Sequence, residues 1–259
     1  WKLCAEHLDG APFVLAALDC AAHDLWGRLE NTPVHRLWGL NPNDAVDSSF
    51  TIGIAEVDVM IANLSEMPGW PIYKIKLGTE RDVEIITALR QHTEAVFRVD
   101  ANCAWDSNGA AALSGEMARQ GVEFIEQPLE PAQREAQAGL YRDSALPLIA
   151  DENCVGEADV PRCVDHFHGI NIKLCKCGGL TPARRMIAAA RDHGLKVMVG
   201  CMAESSVGIS AAAQLAPLLD YADLDGAVLL ARDAADGVQL HKGRLTFPDE
   251  PGLGIRSLK

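Results

Sequence analysis

The stretch Ile72-Tyr73-Lys74-Ile75-Lys76-Leu77 decides how this chain is read. Apolar and charged residues alternate, which is the period of a strand. Residues two apart in a strand share a face, so Lys74 and Lys76 look into the same space. Two lysines facing one interior are hard to explain as packing. Further apolar runs recur on either side, at 50–54, 72–75, 96–99, 123–125, 146–150, 170–172, 196–199 and 220–222. Helical periods fill 81–91, 110–120, 156–164, 182–193 and 207–218. Short strands alternating with helices predict βαβ units and a parallel sheet. Eight runs predict a closed (β/α)₈ barrel of the TIM type. A doubly wound sheet usually has about six strands and a glycine-rich first turn. No G-x-G-x-x-G follows the first run.

A charged residue stands just past each of five consecutive runs: Lys76, Asp100, Glu126, Asp151 and Lys173. The intervals are 100−76=24, 126−100=26, 151−126=25 and 173−151=22, one βα repeat each time. Equivalent positions on parallel strands point to the same end, so these groups are expected to ring the C-terminal mouth, where barrel sites lie. Three carboxylates from neighbouring strands make a hard-oxygen site of the kind Mg²⁺ takes. Without a cation they would repel one another and resist ionisation. A desolvated lysine beside a divalent cation has a lowered pKa and serves as a base. One charge at a strand end is ordinarily a solvated loop residue. Five in phase are not.

Length and composition agree. The 259 residues are 48% hydrophobic and 23% charged, and one such barrel needs ~250 residues. A net charge of −13 argues against nucleic acid or an anionic membrane surface as partner. No apolar run of about 18 residues exists to span a membrane. The chain opens on Trp1 with neither Met nor a signal-peptide pattern, which reads as a piece of a longer cytoplasmic protein. Its eight cysteines read as reduced thiols, and Cys175-Lys176-Cys177 lacks the second pair that a zinc site wants. Residues 11–29 have the period of a buried helix, with Phe13, Val14, Ala17, Leu18, Ala21 and Leu25 as its apolar positions. Asn31-Thr32-Pro33 ends it, and 39–44 reads as a linker. The tail from Gly237 is too irregular for another βα unit and is expected to leave the barrel.

At these residues the chain resembles the enolase superfamily, its muconate-lactonizing subgroup in particular, from about Ala16 to Gly254. The matching motifs are Tyr73-Lys74-Ile75-Lys76, Val99-Asp100-Ala101-Asn102, Ile125-Glu126-Gln127-Pro128, Ala150-Asp151-Glu152, and Asn171-Ile172-Lys173 with Gly178-Gly179 behind it. The resemblance implies that Asp100, Glu126 and Asp151 bind Mg²⁺ and that Lys76 and Lys173 are the acid/base pair. Lys74 would help hold a substrate carboxylate and depress the pKa of Lys76. Asp223-Leu224-Asp225 resembles the pair by which dipeptide epimerases bind the substrate's ammonium group. Gly200-Cys201-Met202 and Thr51 resemble their substrate contacts, Met202 and Thr51 being the candidates. The implied reaction is a 1,1-proton transfer at the α-carbon of the C-terminal residue of an Ala-Glu-like dipeptide, through an enediolate. The implied layout is the helical part of a capping domain over 1–45, the barrel over 46–232, and a segment over 233–259 that returns to the cap.

Two departures stand out. Cys103-Ala104-Trp105 replaces the family's usual Gln-Gly-Trp, and the N-terminal part of the cap, which carries a specificity loop, is missing. None of the histidines 7, 23, 35, 92, 166, 168, 193 and 241 falls at a strand end, which disfavours a histidine base. His166 and His168 precede the sixth run and are expected to cover the bottom of the barrel. Other reactions on the same scaffold are o-succinylbenzoate synthesis, N-acylamino acid racemisation and cycloisomerisation, whose substrates lack a free ammonium for Asp223 and Asp225. A Schiff-base aldolase would need one buried lysine and no metal trio. A non-catalytic ligand-binding barrel would not need all five polar positions. Whether the chain forms homo-oligomers is left open.

Overall fold

The computed structural model describes every residue except Asp9 and Lys259. Three helices come first: α1 (Lys2–His7), α2 (Pro12–Leu29) and α3 (Val34–Leu37). The repeating part follows as β1 (Phe50–Ile52), α4 (Val57–Glu66), β2 (Ile72–Lys76), α5 (Asp82–Arg90), β3 (Val96–Asp100), α6 (Ala110–Arg119), β4 (Val122–Glu126), α7 (Arg134–Asp143) and β5 (Leu148–Ala150). It continues with β6 (Gly169–Lys173), α8 (Leu174–Cys177), α9 (Leu180–Asp192), β7 (Lys196–Gly200), α10 (Ser206–Ala213) and β8 (Tyr221–Asp223). Four short strands end the chain: β9 (Ala235–Asp236), β10 (Gln239–His241), β11 (Arg244–Thr246) and β12 (Ser257–Leu258).

The eight strands β1 to β8 lie side by side in chain order and pair in parallel. A parallel bridge between Ser48 and Ala222, with the Ser49 amide donating to the Ala222 carbonyl, closes β8 onto the start of β1. The expected eight-stranded barrel is therefore present. Two of the expected helices differ. Residues 156–164 form a 3₁₀ helix, Glu157–Cys163, because Pro161 lies inside it and removes a backbone donor. The helix expected over 207–218 stops at Ala213, and Pro217 continues the chain as a 3₁₀ turn, Ala216–Leu218.

Alternation along the strands sorts the side chains into two cores. Tyr73, Ile75, Phe97, Val99, Ile125, Ile170, Ile172, Val197 and Val199 point outward and pack under the helices. Phe124, Ile149 and Met198 point inward and form a separate cluster with Tyr221 at the bottom of the barrel. Arg98 covers that cluster, its guanidinium 4.9 Å from the Tyr221 ring and paired with Glu123 at 2.7 Å. Gly169 makes room here, since a Cβ would meet the Lys196 carbonyl at 2.7 Å and the Ile149 side chain at 2.8 Å. His168 sits at the same end, its Nδ1 accepting the Leu148 amide at 3.0 Å. The interior is thus solid below and polar above, which leaves the chemistry at the C-terminal mouth.

The expected burial of α2 is corrected. Phe13 is 61% exposed and Leu25 58%, with Val14 and Leu18 also outside, while Leu15, Ala16, Asp19 and Gly27 are buried. The docked face carries a polar anchor. Asp19 accepts the Thr181 amide at 2.8 Å and its hydroxyl at 2.6 Å, and α2 docks on α8 and α9 through the face that holds Leu15, Ala16 and Asp19. The tail packs back on the body. The Ser48 amide donates to the Gly243 carbonyl, and Gly252 lies where a Cβ on Gly27 would come within 2.5 Å of its Cα. All eight cysteines are free thiols. Among the described residues no helix is long and apolar enough to cross a membrane.

Truncating the lower barrel core should be costly. Phe124→Ala is expected to lower unfolding free energy by about 3–5 kcal/mol, read as a shift in the urea midpoint at constant m-value.

Candidate active site

Register brings the charged residues together. Lys76 pairs with Asp100, Asp100 with Glu126, Lys173 with Gly200, and Gly200 with Asp223 across successive strands. All five residues singled out by spacing lie at the C-terminal strand ends or just beyond. Lys74 lies one pleat deeper, opposite Thr51. Together they line or underlie a cavity of about 330 Å³ whose walls include Thr51, Lys76, Lys173, Met202, Asp223 and Asp225. A larger groove of about 680 Å³ runs between α2, α8 and the tail, away from the converging lysines and carboxylates.

The centre of the network is Lys74, only 1% exposed. Its Nζ lies 2.8 Å from Asp223, 2.8 Å from Glu126 and 3.1 Å from Asp100. Burial works against its charge, but the three carboxylates outweigh burial and hold its pKa well above the ordinary lysine value. Lys76 pairs with Asp100 Oδ2 at 2.6 Å and donates to Asn102 Oδ1 at 3.1 Å. Across the ring, Asp151 takes Lys173 on Oδ2 and Lys176 on Oδ1, both at 2.7 Å.

The carboxylates divide by the cations they face. Burial opposes ionisation of Asp100, but Lys74 and Lys76 outweigh it and hold its pKa at about 2. Burial first, then the charge of Asp100, pushes Glu126 up to about 7, against the pull of Lys74. Asp223 is held below the usual range by Lys74 and by the Ser49 hydroxyl, which overcome burial. Asp225 is pushed up to about 7 by burial and by its neighbour Asp223, although it accepts the Thr51 amide at 2.6 Å.

Glu126, Asp100 and Asp151 offer only oxygen donors, the set a hard divalent cation prefers. Glu126 Oε2 is buried and has no hydrogen-bonding partner; Lys74 lies at ion-pair distance without the alignment of a bond. In the conformation described the trio faces lysines, and no three acidic, histidine or cysteine side chains among the described residues form a ready-made metal cluster. The donor set fits Mg²⁺.

Several residues here were not read from the sequence as site residues. Asn171 donates to Glu126 Oε1 at 2.8 Å, and Gly200 leaves space for it, since a Cβ there would come within 2.8 Å of the Asn171 amide. Gln127, held in the left-handed region at φ 37°, accepts the Asp151 amide at 3.0 Å and donates to Asn153 at 2.6 Å. Such strain at a strand end persists only where its surroundings hold it. Lys176 carried a usable signal: it lies three residues past Lys173, one helical turn away.

A barrel with lysines at the ends of β2 and β6 and carboxylates on β3, β4 and after β5 is an enolase-type barrel, and the comparisons agree. The family model "Enolase C-terminal domain-like" matches residues 59–257, and the chain belongs to that family. It is 54% identical over 251 residues to an L-Ala-D/L-amino acid epimerase of Maribacter sp., covering 96% of this chain and 74% of that protein. It is 48% identical over 258 residues to an L-Ala-D/L-amino acid epimerase of Flavobacterium johnsoniae, covering 100% of this chain and 76% of the relative. Its fold superposes with a TM-score of 0.89 on a dipeptide epimerase from Methylococcus capsulatus complexed with Mg and the dipeptide L-Arg-D-Lys, at 37% identity, covering 98% of this chain and 76% of that one. The chain thus spans about three quarters of the length of these relatives.

The raised Asp225 carboxyl has a consequence for stability. A carboxyl whose pKa rises on folding stabilises the folded chain fully below its unfolded value of 3.8, and that contribution is lost as pH rises through about 7. Asp225→Asn is therefore expected to lose less stability than the parent between pH 5 and pH 8, in paired urea titrations with EDTA present. Equal losses would count against the assignment.

Proposed function

We propose that this protein is a dipeptide epimerase that inverts the α-carbon of the C-terminal residue of L-Ala-Xaa dipeptides, with Mg²⁺ as cofactor. One observation carries the reading. β2 and β6 are four strands apart in a ring of eight, so Lys76 and Lys173 approach one cavity from opposite walls. Two lysine side chains facing each other across a bound carbon, one as the neutral amine and the other protonated, are what inversion needs. One removes the α-proton from one face, and the other delivers a proton to the opposite face. The roles exchange with the configuration of the substrate.

Asp100, Glu126 and Asp151 are the residues that would hold Mg²⁺. When bound, the ion offsets the second negative charge that builds on the substrate carboxylate as the α-proton leaves. Lys74 lies below this point and supplies a fixed positive charge that no water screens. At the other end of the cavity, Asp225 has no lysine partner among the described residues, and Thr51 is its hydrogen-bond donor. A substrate ammonium would supply the missing counter-charge, with Asp223 beside it. Met202, Ala203 and Leu229 line the same cavity; Leu229 is tied to the Asp225 carbonyl and the Met202 carbonyl lies against Gly226. This alkyl wall suits a small N-terminal side chain such as that of alanine, the residue printed in the names of both relatives. A cytoplasmic setting belongs to the same reading and fits eight free thiols.

The test follows α-proton exchange in D₂O by NMR over a set of L-Ala-Xaa dipeptides. Exchange at the C-terminal α-carbon is expected to need Mg²⁺ and to stop with EDTA. Lys76→Ala and Lys173→Ala are each expected to lower epimerisation by about 10³-fold or more. Turnover of N-acylamino acids without exchange of any dipeptide would remove Asp223 and Asp225 from ammonium binding and replace the reading with a racemase one.

A further inference from the structure

Lys176 stands out among the residues of the cavity because neither proton transfer nor ammonium binding uses it. An isolated lysine near a site is usually a solvated charge. This one is built in. Its side chain is 23% exposed, and the carboxylate it pairs with is 1% exposed. It lies on α8, whose position is fixed on several sides. Trp1 Nε1 donates to the Gly178 carbonyl at 3.0 Å. Gly178 ends the helix in the left-handed conformation at φ 94°. Gly179, at φ 115°, passes so close to Asp19 that a Cβ would come within 2.5 Å of its carboxylate. Asp19 in turn holds Thr181. Lys176 is therefore aimed at Asp151 by the same packing that joins α2 to the barrel.

The two walls of the cavity then share one plan. On the β2 wall, Lys76 and Lys74 share Asp100, at 2.6 and 3.1 Å. On the β6 wall, Lys173 and Lys176 share Asp151, each at 2.7 Å and each on its own oxygen. We propose that Lys176 is a positioning residue, the counterpart of Lys74: by occupying Asp151 Oδ1 it fixes the rotation of that carboxylate, and so the direction in which Lys173 reaches the substrate. The proposal rests on the epimerase reading for its effect on proton transfer. It has a second consequence that does not. An ammonium 2.7 Å from a carboxylate competes with any cation for that oxygen, so removing it tightens binding of Mg²⁺.

The experiment compares the parent chain with Lys176→Met, which keeps the alkyl stem, and Lys176→Arg, which keeps the charge. Because the equilibrium between epimers is fixed, epimerisation slows equally in both directions whatever the variant does. The informative quantity is deuterium wash-in without inversion, measured from each epimer separately, and Lys173→Ala identifies which epimer faces Lys173. In Lys176→Met, wash-in from that epimer is expected to fall about tenfold or more, while wash-in from the other stays within about twofold. Lys176→Arg is expected to restore most of it. An equal fall for both epimers, or no fall, overturns the proposal. Calorimetric titration with Mg²⁺ alone is the second readout, and Lys176→Met is expected to bind about fivefold tighter. If the parent exchanges no dipeptide, the epimerase reading fails and the titration decides on Lys176: tighter binding upholds its pairing with Asp151, and unchanged affinity overturns it.

Discussion

A single buried ammonium holds this site in place. Lys74 has its charge inside the barrel, where solvation is lost, and three carboxylates from β3, β4 and β8 repay that loss. Removing Lys74 would leave Glu126 and Asp223 without the ammonium they pair with, in a place water does not reach. The arrangement is possible because the barrel interior is filled below by Phe124, Ile149, Met198 and Tyr221, with Arg98 over them, so the lysines and carboxylates of the site gather at the other end. Stability and chemistry therefore separate along the barrel axis.

The same confinement sets the electrostatics. Asp100 and Glu126 are neighbours in register, yet one is pulled down to about 2 and the other pushed up to about 7. The difference lies in how many cations each faces. Burial opposes ionisation of both; Asp100 has two lysines at ion-pair distance, whereas Glu126 has one, with an amide and the negative charges of Asp100 and Asp151 beside it. Like charges kept close at a strand-end ring are a poor arrangement for a passive core and a suitable one for gathering a hard cation and a zwitterion.

Much of this was legible in the linear sequence. Eight apolar runs with helical spacing between them named the barrel, because parallel strands repeat on a period set by one strand, one helix and two turns. The intervals from Lys76 to Lys173 placed five charged residues at one end, because strand direction repeats with the chain. Asn171 and Gln127 were not legible as site residues: polar side chains beside a motif carry no periodic signal, and what they do depends on a neighbour 45 and 24 residues away. The burial of α2 was misread for a related reason. A hydrophobic period says which residues share a face, whereas the partner of that face is chosen in three dimensions, and here the face with Leu15, Ala16 and Asp19 turned inward.

What the sequence alone determined is the alternation, the order and the phase of the charged strand-end positions, since these follow from local backbone geometry and from covalent spacing. What only the tertiary structure decided is pairing. It set which lysine meets which carboxylate, that Lys74 is buried while Lys76 reaches the cavity, and that Lys176 shares Asp151 with Lys173. Those pairings join residues 22 to 149 positions apart. Coulomb energy depends on distance in space and on the water between two charges, and neither is set until the barrel has closed.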